Sequence, residues 1–164
     1  MPVQLLISDA NLLIDMDVAG LLDRIFELPF EYVTPESLFE EELRSWHADL
    51  LEKGLRLKAL TPELINRVES LSGQYKGVSI HDLSALILAE HSNAPLLTGD
   101  KKLRQVCMQE SVDVRGTLWL MEHLMLEKLI TVEDAKIAYQ RMAEDGSRLP
   151  WDEVDKQLKH FMHK

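Results

Sequence analysis

The sequence predicts a three-layer α/β/α fold, in which a central, mostly parallel sheet of about five strands lies between two layers of helices. Short apolar segments alternate with amphipathic helical segments along most of the chain. Such alternation is typical of right-handed β-α-β units, which make neighbouring strands parallel. The clearest example is residues 79–104, where an apolar helix, a short apolar strand and the start of another helix follow one another. Further helices are predicted after the last strand.

Five apolar segments are predicted to form the strands. The first ends in a polar residue and an acid, and the fourth is a continuous apolar run, as expected for strands buried on both faces. The third alternates between apolar and polar residues, which is typical of a half-exposed strand. The five segments are 3–8, 30–33, 55–60, 96–98 and 112–114.

The intervening segments carry helical patterns with recognisable starts and ends. Thr34-Pro35 and Thr61-Pro62 have the form of an N-cap followed by a first helical residue. Thr131 and Asp134 match a capping box. The predicted helical segments are 12–16, 18–28, 35–53, 62–72, 79–92, 101–110, 117–130, 131–146 and 151–163. In the third of these we expect an apolar face of Leu38, Phe39, Leu43, Trp46, Leu50 and Leu51 to be buried.

The composition limits the class of protein. A chain of 164 residues has the usual size of one domain, so we expect a single domain over 1–164, with 116–164 as a helical extension of it. Its net charge of −10 excludes a protein that coats nucleic acid irrespective of sequence, but not an enzyme with local basic residues. The single cysteine, Cys107, favours a reducing compartment. The short N-terminal apolar run predicts neither a signal peptide nor a membrane span, so we expect a cytoplasmic protein.

Four acids are predicted to meet at one edge of the sheet. Asp9 and Asp100 follow the first and fourth strands, Asp82 opens a helix, and Glu41 lies early in the helix after the second strand. Each also has a simpler explanation as a helix cap, a turn residue or part of a solvated charged face. The carboxyl ends of parallel strands share one edge, however, and that edge is where open α/β sheets bind ligands.

Carboxylates gathered at such an edge repel one another unless a positive charge holds them. Oxygen ligands without clustered histidine or cysteine suit Mg²⁺ or Mn²⁺. These cations activate water and neutralise the transition state of phosphodiester hydrolysis. The acids therefore favour a metal-dependent hydrolase acting on phosphodiester bonds.

Three segments, LLISDANLLI, VTPESLFEEELRS and SIHDLSALILAEHSNAPLLTGDKKLR, resemble the PIN-domain (VapC-like) metal-dependent ribonucleases in their order and spacing. The tail, GTLWLMEHLMLEKLITVEDAKIAYQRMAEDGSRL, resembles a sub-group of that family with a C-terminal helical extension. The resemblance extends from about Val3 to Leu149. It implies hydrolysis of single-stranded RNA by a metal-activated water.

The resemblance also implies roles for individual residues. Glu40 and Glu42 remain alternatives to Glu41, and Gly99 stands where many members of the family have another acid. The implied catalytic and Mg²⁺- or Mn²⁺-binding residues are Asp9, Glu41, Asp82 and Asp100, with Asn11 and Thr98 in support and Lys101, Lys102 and Arg104 binding substrate.

Other interpretations remain open. The ribonuclease interpretation includes a toxin of a toxin–antitoxin pair, with an antitoxin protein as its partner. The alternative is a PIN-like binding module with weak catalysis. The apolar helix 117–130 favours either core packing or a homodimer surface. A phosphatase of the haloacid dehalogenase type needs a second aspartate two residues after the first, where this chain has Asn11. A response-regulator receiver fits the four acids less well.

Overall fold

The computed structural model describes residues 3–163. Its centre is a sheet of five parallel strands in the order β3-β2-β1-β4-β5. The parallel sheet predicted from the sequence is therefore confirmed. The strands are β1 (Gln4–Ser8), β2 (Phe30–Pro35), β3 (Arg56–Lys58), β4 (Leu96–Leu97) and β5 (Val114–Arg115).

Helices connect and cover the strands, as the alternating pattern predicts. A π-helical turn, Phe39–Leu43, joins α3 to α4. The helices are α1 (Ala10–Val18), α2 (Leu22–Ile25), α3 (Glu36–Leu38), α4 (Arg44–His47), α5 (Leu50–Lys53), α6 (Pro62–Gln74), α7 (Ile80–Ser92), α8 (Lys101–Gln109), α9 (Thr117–Leu126), α10 (Val132–Glu144) and α11 (Trp151–Met162).

The middle of the sheet is formed by the most apolar segments of the chain. Ile7 of β1 pairs with Val33 of β2 on one side and with Leu96 of β4 on the other. Helix α7 packs against β1, β2 and β4 and is covered by α6. Its residues 83–89 are all buried, which agrees with the prediction that so apolar a helix needs a broad surface. Strand β3 lies at the sheet edge with its outer residues exposed.

Two predicted helix boundaries are wrong. The segment 18–28 is not one helix, because α1 continues to Val18 and Gly20 then turns the chain with a φ of +75°. Only the four residues of α2 follow as helix. Thr34 is not an N-cap either: it belongs to β2, and its hydroxyl donates to the Ser8 carbonyl at 2.9 Å. A buried hydroxyl can serve a neighbouring strand as well as a helix end, and the sequence pattern does not distinguish the two.

The predicted helix 35–53 is interrupted, which changes the residues that it buries. The chain passes from α3 through the π-helical turn into α4, and α5 begins only at Leu50. An inserted π-turn and the break after α4 rotate the later residues relative to a continuous α-helix. Trp46, expected in the core, is consequently 84% exposed, and Leu51 is 37% exposed. The other four residues of the predicted face, Leu38, Phe39, Leu43 and Leu50, are buried.

The helices after β5 pack on one another and on the rest of the molecule. Helix α9 contacts α2, α10 and α11, and α10 contacts α1. The predicted capping box is present at α10: the Asp134 N–H donates to Thr131 Oγ1 at 3.0 Å, and the Thr131 N–H donates to Asp134 Oδ2 at 2.9 Å. Within residues 3–163, none of the helices has the length and apolar character needed to cross a bilayer.

Candidate active site

Asp9 lies where β1 ends and α1 begins, at the carboxyl edge of the sheet. It is the N-cap of α1, and its Oδ1 accepts a hydrogen bond from the Leu12 N–H at 2.9 Å. Its side chain is completely buried. No Lys, Arg or His side chain within residues 3–163 forms an ion pair with it. A helix cap alone does not require such burial of a carboxylate, because caps usually lie near solvent.

Thr98, directly after β4, connects Asp9 with the next acid. Its hydroxyl donates a hydrogen bond to Asp9 Oδ2. The hydroxyl oxygen, Thr98 Oγ1, also accepts a hydrogen bond from the Asp100 N–H at 3.0 Å. Asp100 caps α8, where its Oδ1 accepts from the N–H groups of Lys102 at 2.8 Å and Leu103 at 3.2 Å. Oδ1 therefore serves the helix, whereas no hydrogen bond within the described residues involves Oδ2 of Asp100.

Asp82 lies in the first turn of α7, whose N-cap Ser79 accepts from the Asp82 N–H at 3.1 Å. Its side chain is half-buried. Burial raises the pKa of the Asp82 carboxyl, and the negative charges of Asp100 and Glu42 raise it further, while the Ser79 side chain opposes the rise. The structure thus brings Asp82 within electrostatic range of acids from two other segments.

The carboxyl of Asp9 has the most strongly shifted pKa of the site. Burial raises the pKa of Asp9 from 3.8 to about 7, against the opposing hydrogen bonds from Thr98 and Leu12. The charges of Asp82 and Asp100 add to the rise. Three of the four acids expected from the sequence therefore lie together at one sheet edge, and a perturbed carboxyl of this kind is typical of a functional site.

Of the three neighbouring glutamates, Glu42 is the one whose charge acts on Asp82. Glu42 is half-buried, whereas Glu41 is exposed and is not among the groups that raise the pKa of Asp9 or Asp82. Glu40 is exposed and is bound at both oxygens by Arg44, at 2.6 Å each. Glu42 directly precedes the fully buried Leu43 in the π-helical turn. Glu41, in the same turn, is exposed to solvent.

A family model described as PIN domain matches residues 5–162, which is nearly the whole chain. The chain belongs to the PIN domain family. PIN domains are generally nucleases, so the match supports a nuclease-type hydrolase and gives no support to the phosphatase alternative. No curated protein matches the chain in sequence.

The acids of this PIN domain have the chemistry to bind a hard divalent cation, but their side chains do not converge on a common point. A fully buried carboxyl near two other acids, without a cationic partner among residues 3–163, is either protonated or held as the anion by a cation. The donor set consists of carboxylate oxygens only, as Mg²⁺ and Mn²⁺ prefer. No group of three or more His, Cys, Asp or Glu side chains in the described residues stands ready to hold a metal ion.

Two adjoining cavities lie next to the segment that carries Asp100. One, of about 750 Å³, is lined by basic and acidic side chains in equal number and by Asn11, which is exposed on α1. Its charged residues are Asp15, Asp100, Lys101, Lys102, Asp145 and Arg148. The other, of about 790 Å³, is lined by Arg104 and extends along the beginning of α9. Both cavities share Gly99 as a wall. All residues expected to bind substrate therefore lie along one continuous surface next to Asp100.

Three residues that line the larger cavity were not predicted from the sequence: Arg115, Thr117 and Arg148. They come from segments whose position beside the cavity depends on strand pairing and on how the C-terminal helices pack. Glu42, by contrast, was one of the alternatives to Glu41, and its charge acts on Asp82.

Proposed function

We propose that this PIN domain is a metal-dependent endoribonuclease that hydrolyses phosphodiester bonds of single-stranded RNA. The observation that carries the proposal is the meeting of Asp9, Asp82 and Asp100 at the carboxyl edge of the sheet, with Glu42 beside Asp82. Family membership supports a nuclease. The larger cavity has more basic than acidic side chains in its lining, which supports a phosphodiester substrate.

Asp9 and Asp100 would be the main ligands of Mg²⁺ or Mn²⁺, and Asp82 and Glu42 would complete the shell or orient water. Glu42 takes the role that the sequence resemblance assigned to Glu41. When bound, a divalent cation supplies a nucleophilic water near neutral pH and neutralises charge on the phosphoryl group. Thr98 holds Asp9 in place through its hydroxyl.

The basic residues beside the acids would position the RNA. Lys101, Lys102 and Arg104 follow Asp100 on α8 and line the two cavities, where their charges attract backbone phosphates. Asn11, on the other wall, would support the strand by hydrogen bonding.

The biological setting belongs to the same proposal. A role as the toxin of a toxin–antitoxin pair, held inactive by an antitoxin protein, is consistent with a small PIN domain. A cytoplasmic location agrees with the single, buried Cys107. A homodimer would have to use surfaces other than the buried face of α9, which packs within the chain.

The test is cleavage of a labelled single-stranded RNA during titration with Mg²⁺ and Mn²⁺. Asp9→Asn and Asp100→Asn should each abolish metal-dependent cleavage. Asp155→Asn, which changes an exposed acid of α11, is the matched control and should cleave as the unchanged protein does. Cation binding is measured in parallel by calorimetry.

Loss of cleavage in both site variants, with the control active, would establish the nuclease and two of its ligands. Cation binding that weakens in both variants without any cleavage would mean that the site needs a different nucleic acid. If the protein neither binds cations nor cleaves RNA, the alternative is a PIN-like binding module in which the aspartates only cap helices.

A further inference from the structure

The beginning of α9 lies beside the acids and is open to the larger cavity. The helix starts at Thr117 directly after β5, which pairs with β4, the strand that leads to Asp100. Its N-cap is Gly116, so no side chain caps the first N–H groups of this ten-residue helix. Unsatisfied N–H groups and the helix dipole together attract an anion. The fold alone does not make this helix end a binding site, but two side chains beside it do.

The first of these side chains is Thr117. It is 2% exposed, and its Oγ1 is a buried hydroxyl oxygen without a hydrogen-bond partner among the described residues. Buried polar groups are normally paired, so an unpaired hydroxyl is a feature that calls for a ligand. Thr117 lines the cavity, and its Oγ1 lies 3.8 Å from the position that a Cβ on Gly99 would occupy. The hydroxyl therefore faces the residue that precedes Asp100.

The second side chain is Arg104. Its Nη1 lies 3.0 Å from the position that a Cβ on Gly116 would take, so the guanidinium rests against the backbone at the start of α9. Gly116 has a φ of −119° and a ψ of −171°, an extended conformation open to any residue. What the glycine provides here is therefore space for the guanidinium.

The charge of this cavity is not neutralised by the protein. Arg104, Arg115 and Arg148 line it, and none of them forms an ion pair with an acid among residues 3–163. Outside the cavity most arginines of the described residues are paired with acids, with Arg141 as the exception. The paired ones are Arg24, Arg44, Arg56 and Arg67. Glu153 also lines the cavity, but it pairs with a lysine: its Oε1 lies 3.4 Å from Lys156 Nζ.

We propose that the start of α9, with the Thr117 hydroxyl and the Arg104 guanidinium, binds a phosphate group of a nucleic-acid strand. The proposal rests on the proposed function, because it gives the strand a second point of attachment beside the acids. Gly99 forms a wall of both cavities, so a strand seated here passes directly alongside Asp100. Thr117 and Arg104 position the substrate and take no part in the chemistry.

The test measures binding without cleavage. A fluorescent single-stranded 2′-O-methyl RNA, which resists hydrolysis, is titrated with protein in EDTA at several salt concentrations. Thr117→Val should weaken binding about tenfold, because it removes one hydrogen bond to a charged oxygen. Arg104→Gln should weaken binding and reduce the slope of log K against log salt by about 0.7. Arg141→Gln removes the same charge from α10, outside the cavity, and should bind within about twofold of the unchanged protein.

Thr117→Val replaces an unpaired hydroxyl by a methyl group of similar size, so the fold should be retained. Thermal unfolding of each variant checks this. Thr117→Ser keeps the hydroxyl and should restore most of the affinity. Rescue by serine separates a phosphate contact from a packing effect, because serine loses the methyl group that packing would need.

The source of the phosphate is distinguished by comparing RNAs with a 5′-hydroxyl and a 5′-phosphate. Equal sensitivity of both RNAs to Thr117→Val would indicate an internal phosphodiester, and sensitivity of the phosphorylated RNA alone would indicate a terminal phosphate. Inorganic phosphate should compete more effectively with the unchanged protein than with the valine variant.

Unchanged affinity and salt dependence in both Thr117→Val and Arg104→Gln would overturn the proposal. This result is independent of the nuclease test. A protein that cleaves RNA with unaffected binding in these variants would lack the phosphate site but retain the proposed function. Thr117-dependent binding in a protein that cleaves no RNA would support the site and contradict the nuclease.

Discussion

The Thr98 hydroxyl donates to the carboxylate of Asp9, and these two residues lie at the ends of neighbouring parallel strands. The same hydroxyl oxygen accepts the Asp100 N–H at 3.0 Å. The Thr98 side chain thus fixes the carboxylate of Asp9, which follows β1, relative to the backbone of Asp100, which follows β4. The pairing of β1 with β4 determines the separation of Asp9 and Asp100 along the sheet edge. The hydrogen bond from Thr98 then fixes the orientation of the Asp9 carboxylate.

Thr98→Val should destabilise the protein by about 1–3 kcal/mol, because it leaves two buried polar groups without their partner. Urea denaturation measures this loss. Thr98→Ser retains the hydroxyl and is the control. If valine were as stable as threonine, the hydrogen bonds of Thr98 would contribute nothing to the folded state.

The pKa of Asp9 predicts how stability depends on pH in the absence of divalent cations. The carboxyl has a pKa of about 7 when folded and 3.8 when exposed, so between these values the folded state binds more protons than the unfolded state. The contribution of Asp9 to the free energy of unfolding should therefore be greatest below pH 4 and should fall as the pH rises to about 7. Because asparagine carries no charge, Asp9→Asn should avoid this fall and raise the free energy of unfolding at pH 8 by at most about 4 kcal/mol. Unfolding free energies of both proteins at pH 5 and pH 8 test the sign, and a variant less stable at pH 8 would contradict it.

A divalent cation should reverse this penalty. If Asp9 and Asp100 hold Mn²⁺, a concentration of about 100 times the Kd should stabilise the fold by about 2.7 kcal/mol. Removing the cation with EDTA should restore the original unfolding temperature. Asp9→Asn should respond much less. An equal rise in both proteins would place the bound cation elsewhere on this acidic surface.

Glu42→Gln and Glu41→Gln form a matched pair of variants, since they remove the same charge from adjacent residues of the π-helical turn. Glu42→Gln should reduce RNA cleavage about tenfold or more and lower the pKa of Asp82, because the Glu42 charge raises it. Glu41→Gln should cleave within about twofold of the unchanged protein. The pKa of Asp82 can be followed by NMR titration. The reverse order of effects would return the role to Glu41.

Thr131→Ala should separate the stability of the C-terminal helices from the site. The change removes a capping box at α10 and should cost about 1 kcal/mol. Cleavage should be unchanged at a temperature where the variant is folded. A large loss of cleavage would mean that α10 positions site residues through its contact with α1.

Much of the fold is predictable because strong local signals agree with the tertiary structure. The apolar segments at β1 and β4 have no stable place except inside a sheet, and the caps at Thr61, Ser79 and Thr131 are real. Asp9, Asp82 and Asp100 were predictable for the same reason, since each is tied to the end of a strand or the start of a helix.

The errors come from residues whose role is decided by distant contacts. Thr34 has the pattern of a helix cap, but the carbonyl of Ser8 on the adjacent strand takes its hydroxyl. Trp46 follows an α-helical spacing that the π-helical turn disrupts. The choice between Glu41 and Glu42 depends on that same turn. Arg115 and Thr117 lie next to Thr98 and Gly99, the residues before Asp100, because β5 pairs beside β4.

Residues 83–89 of helix α7 are all buried between the sheet and the neighbouring helices, whereas residues at both ends of the helix are exposed. Shifting the buried part would disrupt the core, so Asp82, which directly precedes it, has little freedom to move with the helix. Adjustment of the acids around a cation or a strand must therefore come from side-chain rotation and from the more exposed segments that carry Glu42 and Asp100. If the acids bind a cation as proposed, the buried helix would fix the position of Asp82, and the segments that carry Glu42 and Asp100 would adjust around it.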